Sequence, residues 1–117
     1  MKFTAINSNS DFVRGYRKGR CYVSGLVVVY VRQNRYGYTR IGITSSKKIG
    51  KAVVRNRARR VIREAVRQLG VDMSQSVDLI FVSRGRTAGS KSWQVQSRIK
   101  NIFEKAGVRY GQTEPLQ

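Results

Sequence analysis

The segment 47–69, KKIGKAVVRNRARRVIREAVRQL, constrains this chain more than any other. Lysine and arginine crowd it, yet apolar residues recur through it at helical spacing. At about 100° per residue, Val54, Ala58, Val61, Ile62, Ala65, Val66 and Leu69 fall within one arc. Asn56, Arg59, Arg60, Arg63 and Arg67 form the opposite arc, with Lys51 and Arg55 on its border. The spacing predicts a helix over 51–69, with Gly50 at its first turn and Gly70 placed for a C-cap. The apolar stripe requires a sheet to pack on. Guanidiniums at i, i+4 spacing repel by about 0.2–0.5 kcal/mol per pair, and only Glu64 stands near enough to offset them. Contacts to a polyanion recover far more than that cost. Arginine forks onto phosphate and stacks on bases, so its excess over lysine favours RNA.

The whole chain repeats the bias. Of 117 residues, 24 are Lys or Arg against 6 acids, a net charge of +18. Self-repulsion on that scale points to a polyanionic partner. Nucleic acid leads, and an anionic membrane surface is second. No apolar run approaches the roughly 18 residues of a spanning helix, so no membrane is expected. MKFTAINSNSDF carries no stretch of signal-peptide character, which reads as a cytoplasmic protein. The length suits one domain with one core. Cys21 stands alone, excluding an internal disulfide and a multi-cysteine zinc site, and reads as an inert small side chain. Asp11, Glu64, Asp72, Asp78, Glu104 and Glu114 are scattered singly, and histidine is absent. Two-metal nucleases need clustered carboxylates and metal-free ribonucleases need a base. A self-sufficient enzyme is therefore not expected.

Along the chain, SNSDFVRGYRK (8–18) reads as a short helix capped by Ser8 or Ser10, with Gly15 weakening it. LVVVYVR (26–32) reads as a buried strand and YTRIGIT (38–44) as a second, joined as an antiparallel hairpin through a loop of about five residues. CYVSG (21–25) is a candidate short strand. VDLIFVS (77–83) is another apolar strand, and RGRTAGSKS (84–92) a mobile basic linker. A last helix over 92–106 carries Val95, Ile99, Ile102, Phe103 and Ala106 on one face, ends at Gly107, and has Trp93 as an anchor. Tyr36 and Tyr38 are expected to shield the strands. The order is helix, two or three strands, helix, strand, helix. It indicates an α+β single-domain sandwich over 1–107 with one mixed, mainly antiparallel sheet, and 108–117 as a flexible tail.

KKIGKAVVRNRARRVIRE (47–64) resembles the signature of the bacterial ribonuclease P protein family: paired lysines, a glycine, an Ala-Val step and Arg-Asn-Arg followed by further basic residues. SDFVRGYRKG, LVVVYV, RIGIT and VDLIFVSR fall in that family's order, so the resemblance spans about residues 8–106. It implies a left-handed strand–helix–strand crossover, against the usual right-handed rule. It also implies a subunit of a ribonucleoprotein hydrolase that removes the 5′ leader from precursor tRNA, with the catalytic RNA holding Mg²⁺ and performing the cleavage. On this resemblance the chain alone binds no cofactor or metal, supplies no catalytic residue and needs no protein partner. Lys47, Lys48, Arg55, Asn56, Arg57, Arg59, Arg60 and Arg63 match the basic residues set against the catalytic RNA, and Lys51 and Arg67, at the border and on the face of the same basic arc, are assigned with them. Phe12, Tyr16, Tyr30, Lys48 and Ala52 match those along the leader.

For Phe12, Tyr16 and Tyr30 core packing remains the alternative. The 84–92 stretch is either a second RNA contact or a solvated linker. Charge and fold alone would suit a ribosomal or other structural RNA-binding protein equally well. The 47–64 motif and the spaced aromatics separate the two.

Overall fold

The structure, a computed structural model, describes residues 4–111. Three α-helices and four strands are described: α1 (Asn9–Lys18), β1 (Arg20–Val23), β2 (Val27–Gln33), β3 (Arg40–Thr44), α2 (Ala52–Leu69), β4 (Val77–Ser83) and α3 (Ser92–Ala106). This is an α+β fold with all three of the first strands preceding α2. Ser8 caps α1, its hydroxyl accepting from the Asp11 amide at 3.4 Å. Gly70 and Gly107 end α2 and α3 in the left-handed conformation that glycine adopts without strain.

Strand order is β1-β2-β4-β3, which corrects the expected hairpin. LVVVYVR and YTRIGIT do not pair with each other. β4 lies between them, antiparallel to β2 and parallel to β3. Its VDLIFVS sequence is buried on both faces, so a central place with two strand neighbours satisfies it better than an edge would. The hairpin that does form joins β1 to β2. Ser24 closes its turn, donating to the Val27 carbonyl at 2.8 Å and accepting from the Val27 amide at 3.1 Å.

Alternation along the strands separates two faces. Val27, Val29, Ile41, Leu79 and Phe81 join Ile62, Ala65, Val66, Leu69, Val95, Ile99 and Phe103 in the core beneath α2 and α3. α1 covers part of the other face. Gly15, which weakened the helix on propensity, is what lets it lie there, because a Cβ would come within 2.4 Å of Ile80 Cδ1.

Three further expectations are corrected. The 84–92 stretch is a run of turns pinned by Thr87, which is fully buried. Its hydroxyl donates to the Leu26 carbonyl at 2.6 Å and accepts from the Arg84 amide at 2.7 Å. Trp93 anchors nothing. It is 65% exposed, because it falls on the far side of α3 from Val95 and Ile99. Beyond Gly107 the chain remains attached, with Val108 buried and Arg109 Nε 2.8 Å from Asp72. The last residues of that stretch, 112–117, lie outside the described residues.

An ion network runs across the α1 face. Arg32, Asp78 and Arg40 stand opposite one another on β2, β4 and β3. Arg40 donates to Asp78 at 2.9 and 2.7 Å and to Asp11 of α1 at 3.1 Å. Asn34 adds a bond to Asp78 at 2.8 Å, and the Tyr36 ring stacks on the Arg40 guanidinium at 4.3 Å. Burial on its own would raise the Asp78 pKa, but bonds from Arg40 and Asn34 and the charges of Arg40 and Arg32 outweigh it and hold the carboxyl below its ordinary range. That stabilisation is present above the unfolded aspartate pKa and is lost as pH falls through the depressed folded value. The urea midpoint should therefore hold steady down to about pH 4 and fall below it. Asp78→Asn strands a buried guanidinium, is expected to cost about 3–5 kcal/mol in urea unfolding, and should flatten the acid limb.

Candidate nucleic-acid interface

The basic helix is introduced by a short 3₁₀ turn, Lys47–Ile49, and by Gly50 at φ 147°. A side chain at Gly50 would be strained by that φ and would sit 3.3 Å from Val54 Cβ, so glycine permits the tight entry. The split into two faces holds. Ala58, Ile62, Ala65, Val66 and Leu69 are buried, with Val54 and Val61 half-buried. Lys47, Lys48, Lys51, Ala52, Asn56, Arg57, Arg60, Arg63 and Arg67 are exposed, and Arg55 and Arg59 are half-buried.

The arginines are not equivalent. Arg55 Nη1 donates to the Gly50 carbonyl at 3.1 Å, tying the helix to its entry turn. Arg59 donates to the Asn56 side chain. Arg67 Nε meets Glu64 at 3.0 Å, and that bond holds the Glu64 carboxyl below its ordinary range. Lys47, Lys48, Lys51, Arg57, Arg60 and Arg63 enter no ion pair among the described residues.

On the opposite side of the sheet Phe12, Tyr16 and Tyr30 come together. The Phe12 and Tyr16 ring centroids lie 6.3 Å apart, and those of Tyr16 and Tyr30 lie 5.0 Å apart, edge to face. Phe12 sits directly on Gly42, where a Cβ would approach its ring to 2.6 Å. Tyr16 is 38% exposed, so the cluster is not closed core. Burial raises the pKa of Tyr16, a bond to Thr44 working against it. Burial and the neighbouring Cys21 raise that of Tyr30. Both phenols therefore stay neutral at physiological pH. The strip beyond α1 continues through Val28 and Val82, paired across β2 and β4, to Val23, which is 65% exposed. It is a shallow apolar floor beside aromatic edges.

Two features join the surfaces. Thr44, which bonds Tyr16, precedes Lys48 by four residues, so their Cα atoms lie within about 15 Å. Phe12, Gly42 and Ile43 also line a groove of about 480 Å³ together with Arg63 and Arg67. Lys48 and Ala52 thus belong to the entry of α2, and the aromatics to α1 and β2. Sequence reasoning missed the Arg40 network. Its signal was a lone charged residue inside each of two apolar strands, Arg40 in RIGIT and Asp78 in VDLIFVS.

A small basic α+β protein that sets an arginine-faced helix beside an aromatic-floored sheet is the class these features define. The chain belongs to the ribonuclease P protein family, whose model, described as Ribonuclease P, matches residues 1–107. It is similar to the ribonuclease P protein component of Clostridium botulinum strain 657, 39% identical over 92% of this chain and 98% of that protein. The Staphylococcus aureus RNase P protein structure superposes with a TM-score of 0.74 at 33% identity, covering 92% of this chain and 98% of that one. The Thermotoga maritima RNase P protein shares the fold, with a TM-score of 0.71 at 24% identity over 86% of this chain and 96% of its own. A ribonuclease P protein component is part of an endoribonuclease holoenzyme, which implies an RNA partner.

Arg55→Ala removes the bond to Gly50 and is expected to lower stability by about 1 kcal/mol, whereas Arg60→Ala should stay within about 0.5 kcal/mol of the wild type. Thermal unfolding of the two variants checks the distinction.

Proposed function

We propose that this chain binds the catalytic RNA of ribonuclease P through α2 and holds the 5′ leader of precursor tRNA in the aromatic cleft. It thereby assists the Mg²⁺-dependent removal of the leader that the RNA performs. The observation that carries this reading is the groove lined by both Phe12 and Arg63, which joins the Phe12 edge of the cleft to the basic face. Lys47, Lys51, Arg55, Asn56, Arg57, Arg59, Arg60, Arg63 and Arg67 contact the catalytic RNA. Phe12, Tyr16, Tyr30 and Ala52 contact the leader, and Lys48, between the two, serves both.

Stacking of bases on aromatic faces tolerates any base, and that suits a cleft which must accept many leaders. The described acids are committed to internal pairs, among them Asp78 and Asp11 with Arg40 and Asp72 with Arg109. No group of three metal-ligating side chains assembles among the described residues. This reading assigns the Mg²⁺ ions and the cleaved bond to the RNA, and it requires no protein partner. The family's endoribonuclease is cytoplasmic on the same reading. No described helix is long and apolar enough to cross a membrane.

The test is cleavage of precursor tRNA by the cognate catalytic RNA at low Mg²⁺, with and without this chain. Stimulation by the chain, and no cleavage by the chain alone, is the expected result. Lack of stimulation would sink the reading. Tyr16→Ala with Tyr30→Ala should weaken binding of precursor by about tenfold or more while sparing mature tRNA; equal losses on both would make these residues core. Replacing Arg59 and Arg63 with Ala should flatten the salt dependence of catalytic-RNA binding by about 0.7–0.9 in log–log slope per lost contact, read by filter binding across a salt series.

A further inference from the structure

A second groove shares no residue with the surfaces described above. The β1–β2 turn, the 84–92 turns and the start of α3 enclose about 670 Å³, lined by Trp93, Arg86, Arg98 and the backbone of Gly25, Gly85 and Gly89. The volume lies within the roughly 300–1,000 Å³ of small-ligand sites. Its walls are fixed to each other, because Thr87 bonds both the Leu26 carbonyl and the Arg84 amide, and Arg84 Nη1 reaches the Ser24 carbonyl at 3.1 Å. A groove held in this way is preformed.

Its chemistry is selective. Trp93 presents an indole that is 65% exposed, although the opposite face of α3 buries Val95, Ile99 and Phe103 completely. Gly25 and Gly85 are not required by the backbone, since neither has a positive φ, and an added Cβ would meet nothing within 4 Å. Both line the groove that Trp93 lines, and neither adds a side chain to it. Arg86 and Arg98 enter no ion pair among the described residues. The described acids are all engaged elsewhere: Asp11 and Asp78 with Arg40, Glu64 with Arg67, Asp72 with Arg109, and Glu104 with Tyr110. An exposed indole that shares its groove with two unpaired guanidiniums matches a planar base flanked by phosphates. Duplex RNA cannot use the indole because its bases are stacked. An acidic peptide would satisfy the charges and leave the ring without a partner.

We propose that this groove takes one unstacked nucleotide of single-stranded RNA, its base on Trp93 and its flanking phosphates on Arg86 and Arg98. The proposal rests on RNA being the partner of this chain, and adds a site remote from the leader cleft. Trp93 is the only tryptophan, so its fluorescence reports occupancy directly. The full chain is titrated with single-stranded oligoadenylate, with duplex RNA, and with polyglutamate as a purely anionic control. Saturable quenching by oligoadenylate alone is expected. It should weaken by about tenfold or more in Arg86→Ala/Arg98→Ala and persist in Tyr16→Ala/Tyr30→Ala. No quenching, equal quenching by polyglutamate, or quenching that depends on the tyrosines and not on the two arginines would overturn the site. Trp93→Leu, made in the Tyr16→Ala/Tyr30→Ala background so that the leader cleft does not contribute, gives a second readout, an expected loss of about tenfold in oligoadenylate affinity by calorimetry; unchanged affinity overturns the site. Tight catalytic-RNA binding with a silent Trp93 would remove this groove and leave the proposed function standing. Failure to bind any RNA would remove both.

Discussion

The buried contact between Arg40 and Asp78 is the constraint on which the rest of the structure depends. Asp78 is 1% exposed and Arg40 7%, so neither ion is solvated and each needs the other. They face one another across β3 and β4, with Arg32 in the same row on β2. A one-residue slip of either strand would drive a charge into the face where Leu79, Phe81 and Ile41 pack beneath α2 and α3. Such a pair adds little net stability over an apolar substitute. Its effect here is to penalise every other register. Because Arg40 also reaches Asp11, the same pair clamps α1 onto the sheet. The clamp places Phe12 on Gly42 and Tyr16 against Tyr30. The aromatic cleft is thus a consequence of a charge network in the neighbouring row of the same sheet face.

The basic helix solves a different problem. Its apolar stripe fixes which way it faces, so packing turns the unpaired cations outward whatever their mutual repulsion. The chain moderates that repulsion locally, with Arg67 held by Glu64 and Arg55 spent on the Gly50 carbonyl. What remains runs from the 3₁₀ turn, where Lys47 and Lys48 project beside the exit of β3, along α2 through Arg57, Arg60 and Arg63. Since β3 also carries Gly42 and Thr44 under the aromatics, one strand delivers both surfaces to the same region. The parallel β3–α2–β4 arrangement therefore positions the interface as well as the core.

Much of this was legible in the residues. The ends of α2 and α3, the buried stripe of each, the Ser8 cap and the extent of β4 all follow from 3.6-residue periodicity, capping chemistry and β-branched runs. The aromatics at 12, 16 and 30 and the 47–64 motif pointed to the interface. Sheet order was not legible, because YTRIGIT and LVVVYVR look like neighbours until VDLIFVS claims the place between them. The 84–92 stretch reads as linker by composition, and one fully buried threonine makes it a wall. Trp93 reads as core by hydrophobicity, and helical phase puts it outside.

The sequence alone determined which segments become helices and strands and which face of α2 is charged, because those depend on hydrogen bonds and side-chain periodicity within a few residues. Only the tertiary structure decided which strands pair, where the buried ions meet, and which aromatics stay exposed. Those outcomes depend on competition for burial between segments tens of residues apart, and no local pattern records who wins it.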